Sequence, residues 1–146
     1  MATIAEVYCC RMDTGFVVIT RYRVDDLEAW MPIATAALAP LVTQPQCLGG
    51  EICAAVDEAD LVAIVTRWPS VGDYRRAMSS YDVKLHTVPL LSSSIDEPTT
   101  YEVLHANGPE GARDLASARA LDADTINLGE AAAPSVRARG PQAPTA

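Results

Sequence analysis

The chain of 146 residues has the length of one domain with tails, and 49% hydrophobic residues are enough for a real core. Nineteen acidic against eleven basic residues give a net charge of -8, which excludes a footprint for nucleic-acid phosphates, and no Lys/Arg run suited to anionic lipid occurs. No apolar run approaches the roughly 20 residues needed to cross a bilayer, and the N-terminus lacks the basic and apolar regions of a secretion signal, so a cytoplasmic protein without a membrane partner is expected.

Residues 1–14 carry no clear period and run into the turn signal Asp13-Thr14-Gly15, which marks them as an N-terminal arm. Phe16 to Arg23 reads as a strand, apolar on both faces at its start and polar towards its end. Asp25 or Asp26 caps a helix whose apolar stripe is Leu27, Trp30, Ala34, Ala37 or Leu38, and Leu41. Pro32 predicts a kink in it and Pro40 its end. Cys47 to Val56 follows as a strand in which Gly49-Gly50 signals a bulge or a close backbone approach.

The chain is organised around Leu61 to Trp68, a strand rich in Val, Ile and Thr. Alternation puts Val62, Ile64, Thr66 and Trp68 on one face and Leu61, Ala63, Val65 and Arg67 on the other. Ser70 with Asp73 then caps a helix carrying Val71, Tyr74, Ala77 and Met78. Tyr81 to Val88 reads as a further helical segment stopped by Pro89, with Leu90-Leu91 reaching into the core. Thr99 to Leu104 is the last strand. From Ala106 onward large apolar residues are scarce, which predicts a disordered tail over residues 106–146, with a transient helix over 111–121 as its one local feature.

Strand, helix, strand, strand, helix, strand is the order of the ferredoxin-like split βαβ unit, an α+β fold with helices on one face of a four-stranded antiparallel sheet. Residues 15–105 form this domain. Because the central strand is apolar on both faces, a second copy is expected to cover the open one, and Val62, Ile64, Phe16 and Val18 are the residues expected on it. The four cysteines lack the CxxC spacing of a zinc or redox site and read as buried, reduced, structural thiols.

Three stretches together carry a family resemblance: Arg67-Trp68-Pro69-Ser70-Val71-Gly72-Asp73-Tyr74, Gln44 to Ile52, and Ser80 to His86. Over roughly Phe16 to His105 the chain resembles the antibiotic biosynthesis monooxygenases, which are dimeric ferredoxin-like α+β barrels. The family includes cofactor-independent oxygenases that turn anthrones into quinones, and also haem-degrading enzymes. Among the anthrone oxygenases the strand-end Trp and a Tyr on the next helix line the substrate pocket, and Trp68 and Tyr74 match them. The family's Asn four residues before the Trp is Ile64 here, which has no hydrogen-bonding group. The haem-degrading branch uses an Asn, a Trp and a His, of which His86 alone is matched.

The resemblance implies a homodimeric oxygenase acting on an aromatic, anthrone- or quinol-like substrate with dioxygen and no bound cofactor. His86 would be the general base. Tyr74 would act beside it, and Trp68, Ile64, Thr66, Thr20 and Arg21 would contact the substrate. Each residue also has a plainer role: Trp68 and Tyr74 as core, His86 as a half-buried imidazole bonded to backbone, and Arg21, Arg23 and Arg67 as solvated edges of the sheet. Two alternatives stay open, a non-catalytic dimer that binds a small apolar ligand and, through His86, a haem enzyme.

Overall fold

A computed structural model describes residues 14–117. Its elements are β1 (Phe16–Arg23), α1 (Leu27–Val42), β2 (Gly49–Ala54), β3 (Leu61–Trp68), α2 (Val71–Met78), α3 (Tyr81–His86), α4 (Val88–Leu91), β4 (Thr100–Glu102), β5 (His105–Gly108) and β6 (Gly111–Asp114). The first four strands form one antiparallel sheet in the order β2-β3-β1-β4. The two longest strands lie at its centre and pair along their full length, from Phe16 opposite Trp68 to Arg23 opposite Leu61.

Burial alternates strictly along both central strands, so one face is closed by the helices and the other is half-open. Phe16, Val18, Thr20 and Tyr22 lie on the closed face of β1, and Val62, Ile64, Thr66 and Trp68 on that of β3. This corrects the expected open face. Val62, Ile64, Phe16 and Val18 are all buried beneath helices, and the half-open face carries Val17, Ile19, Ala63 and Val65 instead. Trp68 and Tyr22 have the bulkiest side chains of the strand pair, and only the helix layer encloses groups of that size from all sides.

Helix α1 begins where the Asp26 carboxylate accepts the Ala29 N–H at 3.0 Å, and it runs through both prolines to Val42. Pro40 therefore does not end it. The carbonyls that Pro32 and Pro40 leave without a helical donor belong to Glu28 and Ala36, which stand on the exposed side, where water can replace the lost bond. The stop comes from Thr43, whose N–H bonds to the Ala39 carbonyl while its hydroxyl donates to the Pro40 carbonyl at 3.0 Å.

Gly50 is where α1 meets the sheet. A Cβ there would stand 2.7 Å from Leu38 Cδ1 and 3.1 Å from Val42 Cγ1, so the close approach signalled by the glycine pair is real. After α2, capped by Ser70 with Asp73, the Ser80 hydroxyl caps α3 at the Val83 N–H. The chain then turns at Thr87 into α4. Pro89 sits in the first turn of that short helix rather than ending the previous one, and Leu90 closes the core.

The tail expected from Ala106 contains a hairpin. β5 and β6 pair from His105 opposite Asp114 to Gly108 opposite Gly111, around Pro109-Glu110, with Gly111 at φ 110°. Ladder hydrogen bonds and a glycine turn order this segment without the apolar burial on which the expectation of disorder rested, and β6 occupies the start of the expected helix over 111–121. Leu115 then donates its N–H to the Leu104 carbonyl at 2.9 Å. Residues 1–13 and 118–146, with most of the expected arm and tail, lie outside the described residues. Cys9 and Cys10 fall there too. Cys47 is half-buried, which pushes its thiol pKa up, whereas Cys53 is exposed, unlike the buried thiol expected; both are free.

Candidate active site

The buried residues form two clusters, one around Tyr22, Ala34, Val62 and Ile64 and one around Phe16, Leu41, Trp68 and Val83. Between them lies a narrow, part-open pocket with about 10 Å³ of water-sized free space. Its floor is the closed face of the sheet, Val18, Thr20 and Tyr22 from β1 with Ile64 and Thr66 from β3. Leu38 and Leu41 of α1, Tyr74 of α2, and Thr87, Leu90 and Leu91 form the walls. No lining residue carries a formal charge, so the pocket favours an uncharged molecule, and an ion entering it would lose its hydration without a counter-charge.

Hydroxyl groups supply its polarity. The Tyr22 hydroxyl donates to Thr20 Oγ1 at 3.0 Å, Thr20 donates over a long 3.5 Å to the Ile64 carbonyl, and Thr87 donates to the Ala37 carbonyl at 2.6 Å. Trp68 is fully buried behind the wall, its indole N–H donates to Thr66 Oγ1 at 2.9 Å, and its ring meets that of Tyr74 edge-on at 5.6 Å. Phe16 flanks Tyr74 at 5.7 Å. Among the described residues the Tyr74 hydroxyl has no hydrogen-bond partner, although its side chain is largely enclosed.

Desolvation raises the pKa of both phenols, Tyr22 and Tyr74, and the proximity of the two raises that of Tyr74 further. Each therefore remains a donor throughout the neutral range. The folded state holds these protons more tightly than the unfolded chain, so the phenols make no difference to stability below the ordinary tyrosine value of 10.0. Stability falls as pH rises above that value, because the unfolded chain then releases protons that the fold retains. Denaturant midpoints measured on either side of it are expected to drop on the alkaline side, and to drop less in the Tyr22→Phe/Tyr74→Phe protein.

The structure brings together Thr20, Ile64, Thr66 and Tyr74 at the pocket, with Trp68 directly behind Thr66 and Tyr74. It leaves two expected site residues elsewhere. His86 is exposed at the end of α3, and its neighbour Thr87 is the residue that turns into the pocket. Arg21 points from the opposite face of the sheet, where its guanidinium holds Glu97 through Nε at 2.6 Å and Nη2 at 2.5 Å. That pair pins the segment before β4 to β1, along which Ile95 also donates its N–H to the Arg21 carbonyl. Tyr22, Leu38 and Leu41 were missed as site residues. Alternation along β1 puts Tyr22 on the face of Thr20, so the signal for it lay in the sequence.

The pocket offers no imidazole, thiol or carboxylate as an iron ligand, and no cluster of three such groups exists among the described residues. Its residues do not fit haem.

Sheet order and helix placement define a ferredoxin-like α+β domain with a narrow apolar pocket between sheet and helices. Solved structures share this fold. A conserved protein from Methanosarcina mazei aligns at 17% identity over 65% of this chain and 97% of its own, with a TM-score of 0.52. Rv0793 from Mycobacterium tuberculosis aligns at 15% identity over 65% of this chain and all of its own, also at 0.52. SnoaB, a cofactor-independent oxygenase from Streptomyces nogalater, aligns at 15% identity over 74% and 97% with a TM-score of 0.48. No family model and no curated protein matches the sequence. At such identities the likeness is one of fold, and the chemistry has to be argued from the pocket.

Proposed function

We propose that the chain is a small oxygenase that oxidises an uncharged aromatic substrate of the anthrone or quinol type with dioxygen, without a bound cofactor. The observation that carries this reading is Tyr74, which lines an uncharged pocket and whose hydroxyl has no protein partner among the described residues. An anthrone methylene is weakly acidic because its carbanion is an enolate. A neutral donor held at the enolate oxygen in a water-poor site favours that anion without neutralising it. The anion passes electrons to dioxygen. In sum the methylene carbon exchanges its two hydrogens for one oxygen atom, which it keeps as a carbonyl, and those hydrogens leave with the other oxygen atom as water. His86 takes no part in this reading, since its exposed imidazole does not line the pocket; the proton leaves to water at the mouth.

The enzyme would work as a homodimer joined through the half-open face of the sheet. Val17, Ile19, Ala63 and Val65 supply an apolar centre there, and the pairs Arg21–Glu97 and Arg67–Glu51 stand around it.

Oxygen uptake with 1,8-dihydroxyanthrone in the presence of a chelator tests the reaction. Tyr74→Phe is expected to lower kcat/KM by roughly 100-fold, the usual worth of one oxyanion donor. The lack of a titratable base among the lining residues favours a second reading, a protein that binds such a compound without turning it over. Tight binding with no oxygen uptake above the uncatalysed rate would establish the second reading and remove the first.

A further inference from the structure

Five hydroxyl-bearing residues line the pocket: Thr20, Tyr22, Thr66, Tyr74 and Thr87. Three of their protons are committed within the protein, Tyr22 to Thr20, Thr20 to the Ile64 carbonyl and Thr87 to the Ala37 carbonyl. Thr66 differs. An indole N–H can only donate, so in the Trp68–Thr66 hydrogen bond Thr66 Oγ1 is the acceptor and keeps its own proton. Among the described residues Thr66 donates no side-chain hydrogen bond. Two donors, Thr66 and Tyr74, are therefore left for whatever fills the pocket, and Trp68 touches both.

We infer that Thr66 is the second hydrogen-bond donor to the bound molecule, and that Trp68 is a positioning residue that aims it without itself lining the pocket. A threonine on a strand ordinarily turns its hydroxyl to a nearby carbonyl. Here the indole occupies one side of the oxygen, which fixes the rotamer and polarises the O–H that remains. The same ring, set edge-on to Tyr74, holds the other donor in place. The count adds one requirement to the aromatic ligand already proposed: two acceptor oxygens, one for each donor, with no carboxylate or ammonium group to be buried in an uncharged lining. This inference rests on reading the pocket as a site for an aromatic molecule.

Anthraquinone and anthracene, which share a three-ring outline and differ in the two carbonyl oxygens, serve as probes in equilibrium dialysis. The wild-type protein is expected to prefer anthraquinone by well over tenfold. Thr66→Val lowers that preference about tenfold, as loss of a hydrogen bond to a ligand oxygen does, and Thr66→Ser retains it. Trp68→Phe lowers it by a similar factor while anthracene binds as before, and the Thr66→Val/Trp68→Phe protein loses no more than either alone. An unchanged preference in Thr66→Val overturns the donor assignment. Equal weakening of both probes in Trp68→Phe overturns the positioning assignment and makes Trp68 a packing residue only.

A measurement without ligand separates this inference from the reading beneath it. The chain has two tryptophans, Trp30 and Trp68, hence two indole N–H resonances. The one that exchanges slowly with solvent is expected to move in Thr66→Val and stay in Thr66→Ser. Should neither probe bind while that resonance behaves as expected, the aromatic-site reading falls and the Trp68–Thr66 pair stands; an unmoved resonance sinks the pair itself.

Discussion

Trp68→Ala is expected to destabilise the domain by about 4 kcal/mol, within the range for removing a buried tryptophan from a core. The side chain is fully buried at the end of β3, where the sheet hands the chain to α2. Its removal opens a cavity beneath Phe16, Leu41, Ala77 and Val83, and backbone anchors on both sides limit how far that cavity can collapse. One anchor is Gly15, whose N–H bonds to the Trp68 carbonyl at 3.1 Å, and the other is the Ser70 cap of α2. The truncation also takes the partner from Thr66 and the edge-on neighbour from Tyr74. Urea denaturation measures the loss. The Phe variant, which keeps most of the volume, is expected to lose far less, and equal losses in the two would show that the hydrogen bond rather than packing carries the residue's contribution.

The same residue illustrates what could be read from the sequence. Alternation in β3 placed Trp68, Thr66 and Ile64 on one face, and the Ser70 to Asp73 spacing placed Tyr74 one helical turn further on; both relations are local in the chain. Which face the helices would cover is a long-range matter. β3 is apolar on both sides, so its pattern could not choose, and the pairing with Phe16 and Tyr22 on β1 settled it. His86 failed for a related reason. Its spacing from Val83 could be read, but the turn at Thr87 that carries the chain into α4 decides which neighbour enters the pocket, and the side that does so carries Thr87 and Leu90. The hairpin after Leu104 has almost no apolar signal, and main-chain pairing around Pro109-Glu110 organises it instead.

Val65→Asp is expected to separate the proposed dimer into monomers while leaving the subunit folded. Val65 lies at the middle of β3, opposite Ile19 on one side and Glu51 on the other, on the half-open face that the helices do not cover. In the subunit alone a carboxylate there remains in contact with water. Across a two-fold interface it would be buried with its own symmetry mate close by, two like charges without a cation between them, since Arg21 and Arg67 already hold Glu97 and Glu51. Burying an unpaired charge costs about 4 kcal/mol, which is roughly a 1000-fold loss of affinity. Sedimentation at micromolar concentration is expected to give a dimer for the wild-type chain and a monomer for the variant, whose subunit keeps a cooperative denaturation transition at a somewhat lower midpoint because the new carboxylate faces Glu51. The wild-type chain sedimenting as a monomer would remove the dimer and return Val17, Ile19, Ala63 and Val65 to a surface that needs another cover. If instead the variant stays dimeric, the two copies meet elsewhere, and the sheet face is free.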